Sequence, residues 1–152
     1  MPTHYNGTEK ERLALDVYIK LARAAEAVSA RVNRHLADYD LTLSQFGVLE
    51  ALYHRGPLVQ KDIAQKVLKS TGNITLVINN LEKRGLVVRE RETEDRRFVR
   101  VHLTDAGREL VASIMPKHVA GIVEDISILS EEEQCRLAEL CRKLGLREEK
   151  SE

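Results

Sequence analysis

Ser70, Thr71, Asn73, Thr75 and Asn79 bring hydroxyl and amide groups together in one short stretch, with Leu76 among them and Lys83 at its end. No carboxylate interrupts them before Glu82. Such side chains can meet base edges and phosphate oxygens in a major groove, and a leucine among them can rest on a thymine methyl. Arg89, Arg91, Arg96 and Arg97 follow, and from Lys83 to Arg100 there are seven Lys/Arg against four Asp/Glu. Guanidinium groups of this kind suit a phosphate backbone or a narrow minor groove. Asp95 lies where a charge-assisted hydrogen bond can hold one of these arginines in place. Taken alone, the same residues also fit a solvated polar helix face with one exposed leucine, followed by a solvated charged hairpin.

Enzyme chemistry finds no comparable grouping. His4, His35, His54, His102 and His118 are scattered, without HxxxH or HExxH spacing, so no metal site is expected. The sequence contains no GxSxG, Walker loop or GxGxxG, and neither catalysis nor a cofactor is expected. Cys135 and Cys141 fall about 240° apart on one helix, so they form neither a redox CxxC pair nor half of a zinc site. They are expected to be reduced packing residues.

The elements that must position the polar stretch follow from periodicity. Ile74, Val77, Ile78 and Leu81 recur at i, i+3, i+4 and i+7, which predicts a helix from Asn73 to Arg84 with one buried stripe. Gly72, Leu76, Asn79 and Lys83 then lie opposite, flanked by Thr75 and Asn80. Gly85 closes this helix where a positive φ is needed. A shorter helix, Asp62–Leu68, precedes a break at Lys69–Gly72 and turns Ile63, Ala64, Val67 and Leu68 to the core. After it come two β-like runs about a charged tip at Thr93–Asp95, with Val99, Val101 and Leu103 alternating against Arg100 and His102. Leu58–Val59 can add a minimal third strand. Helix, turn, helix and two-stranded ribbon make a winged helix-turn-helix over 41–103.

The flanking sequence is helical. A long helix over 9–37 carries Val17, Leu21, Ala24, Val28, Val32 and Leu36 at spacings of three and four, a stripe long enough to pack along a partner chain. Thr42 and Gln45 form a capping box for a helix to about His54, which Gly56-Pro57 stops. Thr104 can cap a helix that Pro116 is expected to kink or break. Ser130 and Glu133 form another capping box, for a last helix closed by Gly145. The expected class is mainly α with a small β-wing, a single domain over 1–152. In it, helices at 9–37 and 104–146 form a dimerisation part.

Composition is compatible with this and adds little. Apolar residues make up 43% of the 152, aromatic residues 4%, and the net charge is zero, so any attraction to nucleic acid must come from local charge. No run reaches the roughly 18 apolar residues of a membrane span, and the first residues lack a secretory pattern, so a cytoplasmic protein is expected.

Three segments carry a resemblance: LTLSQFGVLEAL at Leu41–Leu52, KSTGNITLVINNLEKRGLVVR at Lys69–Arg89, and DRRFVRVHLTDAG at Asp95–Gly107. In order and spacing the chain resembles the MarR family of bacterial transcription regulators, which bind DNA as dimers through winged helix-turn-helix lobes. The resemblance implies double-stranded DNA and a second copy of the chain as partners, with repression of a palindromic operator as the function. It places Asn73 and Thr75 in the reading helix, and Asp95 and Arg97 in the wing signature. It also implies release by a small aromatic or phenolic effector in a crevice for which Tyr18, His35, Tyr39, Phe46 and His118 are the candidate lining. Other relatives respond through a first-helix cysteine, which this chain lacks. A winged helix that serves only as a protein-interaction module is the alternative.

Overall fold

The computed structural model describes residues 4–67, 71–95 and 97–146, apart from the side chains of residues 71 and 72. Its elements in order are α1 (Glu9–Val32), a 3-10 turn (Arg34–Tyr39), α2 (Leu43–Arg55), β1 (Leu58–Val59) and α3 (Gln60–Lys66). Then follow α4 (Thr71–Lys83), β2 (Val87–Arg91), β3 (Val99–Leu103), α5 (Asp105–Ile126) and α6 (Glu131–Gly145). The strands form one antiparallel sheet in the order β1-β3-β2, with Leu58 opposite Val101 and Arg89 opposite Val101 on its other side.

The chain divides into two compact units, Asn33–His118 and the outer stretches Met1–Val32 with Val119–Glu152. The first holds the core. Phe46, Leu49 and Leu52 of α2 meet Ile63 of α3, Ile74, Ile78 and Leu81 of α4, Val101 of β3, and Val111 and Ile114 of α5. Full burial of each such aliphatic side chain contributes about 1.5–3 kcal/mol, so α4 is fixed mainly by its own apolar stripe. The expected third strand is present, and Thr42 and Gln45 form the expected reciprocal cap on α2.

Several boundaries differ from expectation. The first helix ends at Val32, and the stretch expected to continue it becomes the 3-10 turn, which still buries Leu36. Asp40, left-handed at φ 54°, ends that turn. An unforeseen capping box joins Thr8 and Glu11 at the start of α1. Helix α4 begins at Thr71, ahead of the expected Asn73, and α3 spans Gln60–Lys66, with Leu68 outside the described residues. Helix α5 runs through Pro116 without the expected break. Proline costs the Ala112 carbonyl its partner, but Ala112 and Pro116 both lie on the exposed side, where water can take that bond. Gly145 ends α6 without a positive φ, unlike Gly56 and Gly85.

The unit made of the outer stretches has a different character. A two-pronged ion pair from Arg31 to Asp125, at 2.6 and 3.1 Å, ties α1 to α5. No residue of α1 or α6 is buried, although both carry apolar stripes.

Candidate nucleic-acid interface

Helix α4 turns Ile74, Ile78 and Leu81 fully inward and leaves Asn73, Thr75, Leu76, Asn80 and Lys83 exposed, with Asn79 half-buried. Leu76 is 60% exposed. Ser70 lies outside the described residues, and for Thr71 only the helical backbone is described. The helix is held at several points by side chains from elsewhere. The Gln60 amide nitrogen donates to the Thr75 hydroxyl at 2.7 Å, and Arg89 Nη2 donates to the Thr75 carbonyl at 3.1 Å. Arg89 also donates its backbone N–H to Glu82 Oε2 at 3.1 Å. At the far end, Arg84 donates to the carbonyls of Asp40 and Tyr39 at 2.7 and 3.1 Å. Gly85, at φ 74°, then reverses the chain into the sheet.

The wing is the β2–β3 hairpin. At its tip Arg97 and Asp95 form a forked pair, with Nε to Oδ1 at 2.9 Å and Nη2 to Oδ2 at 2.7 Å. The Arg97 backbone N–H adds a bond to Oδ1 at 3.1 Å. These bonds, the side-chain ones foremost, hold the Asp95 carboxyl below the usual carboxylate range and raise the guanidinium. The Arg97 side chain nonetheless remains 85% exposed, so the aspartate orients it without covering it. Arg96 lies outside the described residues. On the other face of the ribbon Arg100 pairs with Glu92, and His102 Nε2 lies 3.2 Å from Glu90. That approach lacks hydrogen-bond geometry, and His102 Nε2 is a buried nitrogen without a hydrogen-bond partner.

The expected phosphate contacts therefore divide. Lys83, Arg91 and Arg97 are exposed, whereas the Arg89 guanidinium is folded back onto α4. This corrects the expectation that Arg89 projects toward a ligand. Its strand position, one face with Val87 and Arg91, aims it at the helix. Gln60 and Arg84 were absent from the expected site altogether.

Comparison with known proteins agrees with this geometry. The model of the MarR family matches residues 41–99. The HTH-type transcriptional regulator YkoM of Bacillus subtilis (strain 168) is 39% identical over 146 residues, covering 96% of this chain and 94% of the relative. The chain belongs to the MarR family. Among solved structures it is similar to Bordetella bronchiseptica BpsR, whose DNA binding is regulated by 6-hydroxynicotinic acid. The TM-score is 0.78 at 30% identity, covering 86% of this chain and 98% of that one. It is also similar to S. aureus MepR in complex with DNA, with a TM-score of 0.75 at 25% identity, covering 84% and 96%. The protein is thus a MarR-type helix-turn-helix transcriptional regulator with a winged-helix fold, and not an enzyme.

Of the residues expected to line an effector crevice in this MarR-family chain, those within Asn33–His118 are only partly brought together. His118 Nδ1 lies 3.3 Å from His35 Nε2, and the Phe46 ring meets His118 edge-on with centroids 4.9 Å apart. Phe46 is sealed in the core at 1% exposure, which corrects its expected place on a crevice wall. Its helix face is the one that carries Leu49. Tyr39 is half-buried against the same core, and Tyr18 belongs to the other unit, where it is exposed. Burial pushes the His118 imidazole below its ordinary value and nearby His35 adds to this, while Glu50 opposes it. An open cleft of about 580 Å³ lies elsewhere, between α2 and the end of α3, and none of these five residues lines it. Among the described residues, no three His, Cys, Asp or Glu are placed to hold a metal ion. Cys135 and Cys141 are exposed on α6 instead of packed.

Proposed function

We propose that the protein is a homodimeric repressor, acting in the cytoplasm, that binds a palindromic operator and leaves it when a small aromatic effector binds. The observation that carries this reading is the exposed, carboxylate-poor face of α4 beside a wing whose Arg97 is aimed by Asp95. In this reading Asn73, Thr75, Leu76 and Asn79 meet base edges, joined by Ser70 and Thr71. Lys83, Arg91, Arg96 and Arg97 meet phosphates or the minor groove, and Arg89 braces the helix. The second copy is supported by apolar side chains that a lone chain leaves in water: Leu13 and Val17 on α1, Ile122 and Val123 on α5, Leu137 and Leu140 on α6. A two-fold dimer covers such a face with its own copy and presents two reading helices about 34 Å apart.

MepR bound to DNA and BpsR regulated by 6-hydroxynicotinic acid support the DNA partner and the effector class, respectively. The exposed Leu76 also fits a winged helix that docks on another protein. Selection from a pool of random duplexes separates the two. A repressor of this kind enriches an imperfect palindrome with half-sites about 10 bp apart, and a hydroxylated aromatic acid then weakens binding to it. A pool that stays random after repeated rounds at physiological salt contradicts the DNA reading.

A further inference from the structure

Thr75 is gripped from two sides, and the two grips come from opposite edges of one sheet. Gln60 follows β1 directly, and the preceding Val59 pairs with Arg100 of β3. Arg89 lies in β2, on the other side of β3, opposite Val101. The Gln60 amide takes the Thr75 hydroxyl and the Arg89 guanidinium takes the Thr75 carbonyl, so the sheet that forms the wing holds the middle of the reading helix at a single residue.

The buried stripe of Ile74, Ile78 and Leu81 fixes where α4 lies, but aliphatic contacts are not directional. Rotation about the helix axis is what they constrain least. Side-chain tips stand about 5–6 Å from the axis, so a turn of about 10° moves them by roughly 1 Å. That displacement spoils a hydrogen bond to a base edge, while a flexible lysine or arginine still finds its phosphate.

We propose that Gln60 is a positioning residue for sequence discrimination, holding Thr75 so that the reading face of α4 and the wing keep one fixed rotation. The proposal rests on the DNA-binding reading above. Gln60 is neutral, so removing its amide leaves the charges that meet the phosphate backbone intact. Its side chain is not needed for α3 either, because Val59 caps that helix without a side-chain bond and alanine is a good helix former.

The test uses the full-length protein and two probes: a 30-bp duplex enriched by the wild-type protein from a random pool, and a shuffled duplex of the same composition. Affinities for both are measured by fluorescence anisotropy, together with thermal stability. Gln60→Ala is expected to lower the ratio of the two affinities roughly three- to tenfold, the range for one lost hydrogen bond. Affinity for the shuffled duplex, its salt slope and the melting temperature stay at wild-type values. Thr75→Val removes the hydroxyl that Gln60 holds, and in that background Gln60→Ala is expected to cause no further loss.

An unchanged ratio overturns the proposal, as does a loss that adds in full to that of Thr75→Val. Equal losses on both duplexes with a lowered melting temperature also overturn it, since they mark a merely structural role. A wild-type protein that does not tell the two duplexes apart overturns the DNA reading and this proposal together.

Discussion

Replacing Gly107 by alanine sets two effects of opposite sign against each other at the seam between α5 and the sheet. Alanine is favoured over glycine inside a helix by about 1 kcal/mol, which alone would stabilise α5. Against this, a Cβ at position 107 would lie 2.2 Å from the Leu86 carbonyl oxygen and 3.1 Å from both its carbon and Leu103 Cδ2. Comfortable carbon–oxygen contacts begin near about 3.3 Å, so the two backbones must part by about 1 Å. Three hydrogen bonds run through that seam: Thr104 N–H to the Leu86 carbonyl at 3.1 Å, Thr104 hydroxyl to the Gly85 carbonyl at 2.7 Å, and Gly107 N–H to the Thr104 hydroxyl at 3.1 Å. Opening by that much carries the first two beyond bonding distance, about 1 kcal/mol each, and overpacking adds about 1–3 kcal/mol. The balance after the helix gain is a loss of about 2–4 kcal/mol. Urea unfolding of wild type and Gly107→Ala at one fixed protein concentration measures it. A variant as stable as wild type, or more so, would show that the seam yields freely and that the close approach at Gly107 does not govern it.

Three further outcomes are expected. His118 is held neutral by burial, its folded pKa below the ordinary 6.5, so the unfolded chain binds more protons as the solution is acidified. Stability is therefore full above about pH 6.5 and declines as pH falls from there toward the folded value; His118→Phe should flatten this part of a stability–pH profile, and a profile identical to wild type would count against it. Arg97→Ala should weaken binding to selected and random DNA by the same factor and reduce the salt slope by about one; a titration with an unchanged slope would remove the wing from the interface. Leu140→Glu puts a charge among the exposed apolar residues of α6 and should give a folded monomer by sedimentation with much reduced operator affinity; a dimer as stable as wild type would place the self-interface elsewhere.

Much of the fold was legible because it is written in local periodicity and short-range chemistry. Ile74, Ile78 and Leu81 declared the buried side of α4, Thr42 with Gln45 and Ser130 with Glu133 declared their caps, and Gly85 declared its turn. The end of α1 was not legible. Leu36 remains buried in the 3-10 turn, and over a single turn a repeat of three resembles one of 3.6. Thr8 and Glu11 have the spacing of a cap but stand in a polar segment with no apolar run directly after them to mark a helix start. The braces of α4 had no local trace. Gln60 and Thr75 are 15 residues apart, Arg84 reaches across 44 to Asp40, and the His35–His118 contact spans 83. Such pairs become visible only when the chain is folded, which is why Arg89 was expected to meet phosphate instead of Thr75.

Hydroxyl-radical footprinting of the protein on a duplex it has itself selected tests the central claim most directly. Two protected segments related by a local dyad, about one helical turn apart and both weakened by Asn79→Ala, are the predicted result. A single unpaired footprint, or protection indifferent to the exposed face of α4, would contradict it.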